Sequence, residues 1–202
     1  MAWVIVGLGN PGYEYDSTRH NCGRMAVEFF GKSAGFREFR EDLKRKVHVG
    51  SGLIGKVATV LLLPDTFMNK SGFTAAKFVK GSRAAERMVV VHDDLDLPLG
   101  RMKISYDRSG GGHKGVDSII RAVKTQRFAR VRIGVSPTTS SGALRKPEGK
   151  KVVHNFILTK FRAHELAILK PVFRRVTDAL ETIVREGREH AMNEFNSDVQ
   201  RS

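Results

Sequence analysis

The sequence predicts a single α/β domain, a three-layer sandwich in which helices flank a twisted, mixed β-sheet. Two observations carry this prediction. Segments with helical spacing of apolar residues alternate along the chain with short apolar runs, a pattern typical of α/β folds. The chain has 202 residues, the length of one domain, and shows no internal repeat and no evident linker. We therefore expect one domain over residues 1–202.

Hydrophobic patterning places the individual elements in chain order. Apolar or alternating runs predict strands at Trp3–Val6, Lys46–Val49, Lys56–Leu63, Met88–Val91, Arg101–Tyr106 and Arg130–Val135. Apolar side chains spaced by three and four predict helices at Met25–Phe36, Phe73–Val79, Val116–Val123 and Leu166–Ile183. In the last of these helices, Pro171 is expected to produce a kink or a second start.

The remaining segments carry weaker patterns. Residues 136–151 are rich in Ser, Thr, Gly, Pro and Lys, which predicts a mobile surface loop. Val152–Leu158 is expected to form a short extended piece, and the residues from about 190 to 202 are expected to form a tail.

The chain is strongly basic. Its 35 Lys and Arg residues against 21 Asp and Glu give a net charge of +14 and a pI near 10.3. Such an excess in a small domain is typical of proteins that bind polyanions, so we expect nucleic acid or a nucleic-acid conjugate as partner. The single cysteine, Cys22, excludes an internal disulfide. With no long apolar run and no signal segment, these features predict a cytoplasmic protein without membrane contact.

A glycine-rich loop follows the first predicted strand. Gly7, Gly9 and Gly12 allow tight turns there, and the chain continues into a polar stretch that includes His20. Loops at strand ends are where catalytic side chains usually lie. Because imidazole titrates near neutral pH, we hypothesise that His20 is the general base of a hydrolase.

The segment Gly7–Gly12 also matches the dinucleotide-binding pattern G-x-G-x-x-G. That pattern requires a helix directly after it, so that the helix N-terminus faces the pyrophosphate. Here Pro11 and residues 13–21 predict a long loop instead. Glu28 stands near the position of the ribose-binding acid but falls in a predicted helix. A nucleotide-binding enzyme is therefore disfavoured.

A general base needs an acceptor that fixes its tautomer, commonly a carboxylate. Asp93 follows a predicted buried strand and is the first candidate. Four polar loops follow four predicted strands, and ligands of open α/β sheets bind beyond the carboxyl ends of the strands. If these strands are neighbours, His20, Asn69 and Asp93 converge there, together with the glycine-rich loop at residues 109–115.

The residues beside Asp93 raise the question of a metal site, since His92, Asp94 and Asp96 lie close to it in the sequence. The chain contains neither H-E-x-x-H nor paired cysteines at ligand spacing. Asp94 and Asp96 are instead alternative partners for His20. We expect no metal and no other cofactor.

Several ordered motifs resemble those of the bacterial-type peptidyl-tRNA hydrolases. They are G-L-G-N-P-G-Y-E-Y-D-S-T-R-H-N-C-G from residue 7, T-F-M-N-K-S-G from residue 66, H-D-D-L-D-L-P-L-G from residue 92 and S-G-G-G-H-K-G from residue 109. Residues 130–135 and 155–161 also look like that family, so the resemblance covers nearly the whole chain. It implies a monomeric, metal-free α/β hydrolase that cuts the ester joining a peptide to the 3′ end of tRNA.

The resemblance also implies roles for the residues nearest to the chemistry. His20 would activate water, and Asp93 would hold it in its basic form. Asn10 and Asn69 look like the amides that grip the peptide and help to reject free aminoacyl-tRNA. Amide side chains suit this task because they carry both a donor and an acceptor.

A second group of positions resembles substrate contacts of that family. Tyr15 and Phe67 match positions that contact the substrate end. Lys103 and Arg132 match basic positions that grip the tRNA phosphates. The expected partner is therefore peptidyl-tRNA, bound through its acceptor end, with an affinity that falls as salt rises.

One position departs from the family pattern G-G-H-N-G, because Lys114 stands where the asparagine would be. Lysine only donates hydrogen bonds, so it cannot accept one as an amide does. Three outcomes are open: Lys114 clamps a carbonyl or phosphate, places a cation near His20, or weakens the site and leaves a non-catalytic RNA-binding protein on the same fold. Ser105 is a lesser departure, at a position that is often basic in the family.

Overall fold

The computed structural model describes residues 2–197. Its strands are β1 (Trp3–Gly7), β2 (Arg40–Asp42), β3 (Val47–Ile54), β4 (Val57–Pro64), β5 (Met88–Pro98), β6 (Met102–Tyr106) and β7 (Ala129–Ser136). Its helices are α1 (Cys22–Ser33), α2 (Ser71–Phe78), α3 (Ser82–Ala85), α4 (Lys114–Val123), α5 (Lys150–Ile157), α6 (Ala163–Glu186) and α7 (Arg188–Ser197). Single turns of 3₁₀ helix cover Tyr13–Tyr15, Arg19–Asn21 and Met68–Lys70.

The strands form one mixed sheet in the order β2-β3-β4-β1-β5-β7-β6. β1 lies at its centre and pairs in parallel with β4 and β5, and β5 pairs in parallel with β7. β3 and β6 run antiparallel to β4 and β7. The carboxyl ends of β4, β1, β5 and β7 therefore meet at one edge, where ligands of open α/β sheets bind.

Helices cover both faces of the sheet, so the predicted three-layer sandwich is confirmed. Because side chains alternate along a strand, Ile5 of β1 faces one layer and Val4 and Val6 face the other. Ile5 belongs to a core that includes Phe30 of α1 and the buried face of α6. Val4 and Val6 belong to a second core, which includes Ile119 of α4 and part of α2.

The glycine-rich loop after β1 leads into two short turns. One 3₁₀ turn follows Gly12, a second carries His20, and α1 begins only at Cys22. Within the described residues, then, no α-helix begins directly after Gly7–Gly12. This geometry agrees with the rejection of a dinucleotide site, which needs a helix N-terminus at that point.

β5 is longer than the sequence predicts. The stretch from His92 to Pro98, expected to be a polar loop, continues the strand. Its backbone pairs with β7, where His92 lies opposite Arg132 and Asp94 lies opposite Gly134. A Cβ at position 134 would lie 2.0 Å from the Pro98 carbonyl oxygen, so the close approach requires glycine. The prediction of a loop was wrong because the polar character of this stretch does not follow from exposure to bulk water: His92 and Asp93 are buried, and only Asp96 is exposed.

Two segments near the C-terminus also differ from expectation. Val152–Leu158, expected to be extended, is helical in all but its last residue, as part of α5. Of the tail expected from about residue 190, the part up to Ser197 belongs to α7, and the rest lies outside the described residues. The side chain of Asn196 accepts from and donates to the backbone of Ile104 at 2.8 and 2.9 Å. α7 therefore covers the edge of β6, where unpaired backbone groups would otherwise be exposed.

The connection between β7 and α5 spans residues 137–149 and contains an isolated bridge between Thr138 and Leu144. The mobility expected for this loop stays a prediction. α6 runs through Pro171 as one helix, which excludes the alternative of a second start there. Among residues 2–197, none of the helices combines the length and the apolar composition that crossing a membrane requires.

Candidate active site

A cleft at the carboxyl edge of the sheet holds His20 and Asp93 side by side. Nδ1 of His20 lies 3.0 and 3.1 Å from the two carboxylate oxygens of Asp93. His20 is 5% exposed and Asp93 is 3% exposed, so water does not compete for this contact. An ionised carboxylate only accepts hydrogen bonds, so Nδ1 is the donor and Nε2 is the basic nitrogen of His20. The structure thus brings together the two residues that the sequence analysis paired.

Close packing of α1 on β5 brings His20 to Asp93. A Cβ on Gly23 would lie 2.1 Å from the backbone oxygen of Val91, so the helix approaches the strand as only glycine allows. His20 precedes that contact by three residues, on the 3₁₀ turn Arg19–Asn21. The glycine therefore sets the separation of the two candidate catalytic side chains.

His113 is a candidate that the sequence analysis missed. Its Nε2 lies 2.9 Å from Oδ1 of Asp93. Its Nδ1 accepts from the backbone N–H groups of Gly115 and Val116 at 3.2 and 3.3 Å, which caps α4. Because Nδ1 is the acceptor, Nε2 carries the proton and donates it to Asp93. The signal available in the sequence was a polar residue shortly before the predicted helix Val116–Val123, where helix caps occur.

Asp93 is held as a carboxylate. Burial alone would raise its pKa, but the electrostatic attraction and hydrogen bonds of His20 and His113 outweigh burial and hold the pKa of Asp93 well below its usual range. Asp93 therefore accepts from two imidazoles at neutral pH. A carboxylate fixed in this way can stabilise positive charge that develops on His20.

His92 completes a set of three histidines around Asp93. The ring centroids of His92 and His113 are 4.7 Å apart, and those of His113 and His20 are 4.9 Å apart. Nδ1 of His92 lies 2.7 Å from the backbone oxygen of Asp93, to which it donates. Burial, followed by repulsion from His113, lowers the pKa of His92 well below its usual value, so this ring stays neutral. Its contribution is to hold the Asp93 backbone.

Asn10 joins the loop after β1 to the turn after β4. Its backbone N–H donates to Oδ1 of Asn21 at 2.8 Å, and its carbonyl accepts from Nδ2 of Asn21 at 2.9 Å. Its side-chain Oδ1 accepts from the backbone N–H of Met68 at 2.8 Å. Since the amide oxygen accepts from the protein, Nδ2 is the part of this side chain that is left to donate a hydrogen bond. The substrate contact expected for Asn10 stays a prediction.

Asn69 and Phe67 lie at the turn after β4, and Tyr15 lies on the turn after Gly12. None of the three is among the side chains that line the cleft around His20 and Asp93. Asn69 is exposed on the 3₁₀ turn Met68–Lys70. The rings of Tyr15 and Phe67 meet edge to face with their centroids 6.3 Å apart, and Phe67 is 55% exposed. These side chains offer amide and aromatic surface beside the loop that carries Asn10.

The β6–β7 side of the cleft is basic. Lys103 of β6 lies opposite Arg132 of β7 in the ladder, so the two side chains share one face of the sheet. The cleft has a volume of about 940 Å³. Its cationic side chains are Lys103, Arg108, Lys114, Arg130, Arg132, Lys146 and Lys150. This concentration of positive charge suits a phosphate backbone.

The alternative acids of β5 have other partners. Nε of Arg132 donates to Asp94 at 2.6 Å, and Lys146 forms an ion pair with Asp96. Asp93 is therefore the carboxylate that serves His20. Lys114 is exposed, begins α4 and lines the same cleft, so the departure from the expected asparagine falls within the site.

The ligand atoms of His20, Asp93 and His113 lie within 4.8 Å of one another, a spacing that would allow a metal ion. These atoms already hydrogen-bond to one another. A zinc ion at about 2.0–2.2 Å from each atom would require both imidazoles to give up the N–H groups that face Asp93. The arrangement fits a hydrogen-bonded chain better, and the expectation of no metal stays a prediction.

Known proteins resemble this chain in both sequence and architecture. The family model for Peptidyl-tRNA hydrolase matches residues 4–202. The chain is 37% identical to the peptidyl-tRNA hydrolase of Syntrophotalea carbinolica over 97% of each chain. It is 39% identical to that of Thermoanaerobacter sp. (strain X514), over 96% of this chain and 99% of the relative. The crystal structure of peptidyl-tRNA hydrolase from Acinetobacter baumannii matches with a TM-score of 0.83 and 31% identity, covering 97% of this chain and 95% of that chain.

Proposed function

The chain belongs to the peptidyl-tRNA hydrolase family, and on this premise we propose that it hydrolyses the ester bond between peptide and tRNA in peptidyl-tRNA. The observation that carries the proposal is the 3.0 Å hydrogen bond between Nδ1 of His20 and Asp93. This bond leaves Nε2 of His20 free as a base and puts a buried anion behind the ring. The reaction releases the peptide and an intact tRNA.

The chemical steps follow from the positions of three side chains. His20 takes a proton from water through Nε2, and the hydroxide formed attacks the ester carbonyl. The Asp93 carboxylate stabilises the imidazolium, and Nδ2 of Asn10 donates to the oxyanion of the tetrahedral intermediate. On collapse, the bond between the carbonyl carbon and the ribose oxygen breaks, and the departing alkoxide takes the proton back from His20. An ester needs no further acid, which suits a site with one base.

We assign the peptide to the β4 side of the cleft. The amide of Asn69 carries a donor and an acceptor, so it can pair with a peptide unit. Free aminoacyl-tRNA has an ammonium group in place of that unit, so it lacks the matching acceptor. Tyr15 and Phe67 supply aromatic surface for the acyl end of the substrate.

We assign the acceptor end of the tRNA to the basic side. Lys103 and Arg132 lie on neighbouring strands and share a face, so they can contact successive phosphates. Lys114 adds a third cation at the same cleft. All of these groups come from one chain, which supports activity as a monomer, and a substrate made during translation supports a cytoplasmic location.

Hydrolysis of N-acetyl-aminoacyl-tRNA by the wild type and by His20→Ala tests the proposal. We expect the wild type to release intact tRNA. His20→Ala should still bind the substrate, but its turnover should be at least about a hundredfold lower, because a general base contributes about that much to the rate. Equal rates would remove His20 from the mechanism. Binding without hydrolysis by the wild type would favour the alternative, a non-catalytic RNA-binding protein, which the intact His20–Asp93 pair argues against.

A further inference from the structure

α2 and the turn before it carry an outward row of alternating aromatic and basic side chains. Phe67, Lys70, Phe73 and Lys77 are spaced by three, three and four residues, the spacing of one helix face. Phe67 is 55% and Phe73 50% exposed, and both lysines are exposed. Nζ of Lys77 lies 4.2 Å from the ring centroid of Phe73. These four residues form the α2 stripe.

The α2 stripe begins beside Tyr15 and Asn10 and lies on a helix that is held rigidly. Its first member, Phe67, contacts Tyr15, and the next residue, Met68, is held by the side chain of Asn10. A Cβ on Gly72 would lie 2.1 Å from the backbone oxygen of Ser118, and the Gly72 N–H donates to Oγ of Ser118 at 3.0 Å. α2 is thus fixed against α4, with the α2 stripe on its outer side.

The sheet order determines which part of the substrate can reach the α2 stripe. The stripe follows β4, the His20–Asp93 pair belongs to the ends of β1 and β5, and the tRNA-facing cations belong to β7 and β6. The ester bond must lie at the pair, between the two sides. With tRNA on the β6–β7 side, the acyl chain leaves toward β4, where the α2 stripe starts.

We infer that the α2 stripe binds the peptide part of the substrate and favours acidic peptides, an inference that rests on the proposed function. Lys70 and Lys77 offer charge to Asp and Glu side chains, and the rings of Phe67 and Phe73 offer contact to apolar ones. Asp42, whose charge Lys77 also stabilises, already has Arg45 as a partner at 2.8 Å. Lys77 therefore remains available to an incoming carboxylate.

The length of the α2 stripe determines how many residues of the peptide it can contact. From Phe67 to Lys77 the 3₁₀ turn and α2 together extend by about 16 Å, at roughly 2.0 Å per residue in the turn and roughly 1.5 Å in the helix. An extended peptide covers that distance with about four or five residues. A substrate with one acylated residue is too short to reach Lys70 and Lys77, so it serves as an internal reference.

The experiment compares three substrates on the same tRNA: N-acetyl-phenylalanyl-tRNA and two N-acetyl-hexapeptidyl-tRNAs with either glutamates or lysines at the third to fifth residues from the ester. The enzymes are the wild type, the double variant Lys70→Glu/Lys77→Glu, and the control Lys32→Glu/Lys170→Glu. Lys32 and Lys170 are exposed on α1 and α6, in the opposite layer, so the control has the same net charge as the double variant.

For the wild type and the control we expect kcat/KM to be about three- to tenfold higher for the glutamate peptide than for the lysine peptide, as two exposed ion pairs allow. The preference should disappear or invert in Lys70→Glu/Lys77→Glu. On the one-residue substrate, that variant and the control should have nearly the same kcat/KM. Equal rates on both peptides, or the same preference in all enzymes, would overturn this inference alone. Failure to cleave any of the three substrates would overturn the proposed function, and this inference with it.

Discussion

Replacement of Asp93 by asparagine is the most direct perturbation of the proposed catalytic pair. Asparagine keeps the size and one acceptor oxygen, but it removes the buried charge that lies 3.0 Å from Nδ1 of His20. Two unit charges about 4 Å apart interact by about 4 kcal/mol at an effective dielectric constant of about 20. This stabilisation arises only when His20 becomes positively charged during the reaction. Because the asparagine oxygen retains part of the hydrogen bond, we expect kcat to fall by about 10²- to 10³-fold.

Single-turnover hydrolysis of N-acetyl-aminoacyl-tRNA with excess enzyme measures this step without product release. Asp96→Asn is the matched control, because Asp96 lies on the same strand and lines the same cleft but pairs with Lys146. Thermal unfolding establishes that each variant is folded. The double variant His20→Ala/Asp93→Asn should be little slower than His20→Ala, since residues that act as a unit are not additive.

Two results would refute this reasoning. The first is a turnover of Asp93→Asn within about threefold of the wild type, which would mean that the carboxylate does not support the base. Alternatively, the losses caused by His20→Ala and Asp93→Asn could multiply in the double variant. That outcome would mean that the two side chains act on separate steps, despite their contact.

Four further predictions address the rest of the site and the anchor of the His20 turn. His113→Asn keeps a capping acceptor for α4 but loses the 2.9 Å hydrogen bond to Asp93. We therefore expect kcat to fall about tenfold with little change in the unfolding temperature. An unaltered kcat would contradict a role of His113 in supporting Asp93. Burial raises the pKa of Glu165, but hydrogen bonds from the Arg162 backbone and from Arg19 outweigh burial, so the pKa is lowered on folding. Glu165 therefore stabilises the fold above its pKa in the unfolded chain, about 4.3, and this stabilisation is lost as the pH falls below that value. Glu165→Gln should therefore cost about 3 kcal/mol in urea unfolding at pH 7, because Arg19 loses its buried anion, and distinctly less near pH 3.5; an equal cost at both pH values would argue against the ion pair. Lys103→Ala should lower the slope of log affinity for tRNA against log salt by about one. Lys114→Asn should raise KM about two- to fivefold without changing kcat. An unchanged slope and an unchanged KM would place the tRNA elsewhere on the surface.

The inner sheet could be predicted because hydrophobic patterning reports burial directly. Strands such as β1 and β4 are almost wholly apolar and are covered on both faces. The same rule failed for the second half of β5, which is polar but partly buried. His92 and Asp93 are 2% and 3% exposed. The buried carboxylate of Asp93 is compensated by hydrogen bonds to histidines distant in the sequence, His20 at 73 and His113 at 20 positions away. A rule that assigns polar runs to loops cannot anticipate such compensation.

Two other features depend on tertiary contacts in the same way. His113 becomes visible as a partner of Asp93 only once the start of α4 is known, because capping α4 directs its other nitrogen at the carboxylate. Val152–Leu158 is expected from the sequence to be extended, yet all but its last residue belongs to α5. Its Phe156 ring lies 4.6 Å from the guanidinium of Arg19, a contact that no local pattern reveals.

The neighbours of His20 explain how a loop residue can be placed as accurately as catalysis requires. Asn21 exchanges two hydrogen bonds with the backbone of Asn10, whose side chain in turn holds Met68 on the turn after β4. Arg19 pairs with Glu165 at 2.7 Å and so ties the turn to α6. His20 therefore lies between two anchors, one at the turn after β4 and the other at the start of α6. Because the anchors are buried and paired before substrate arrives, His20 needs little reordering in the reaction, and a loosened anchor should lower kcat more than it raises KM.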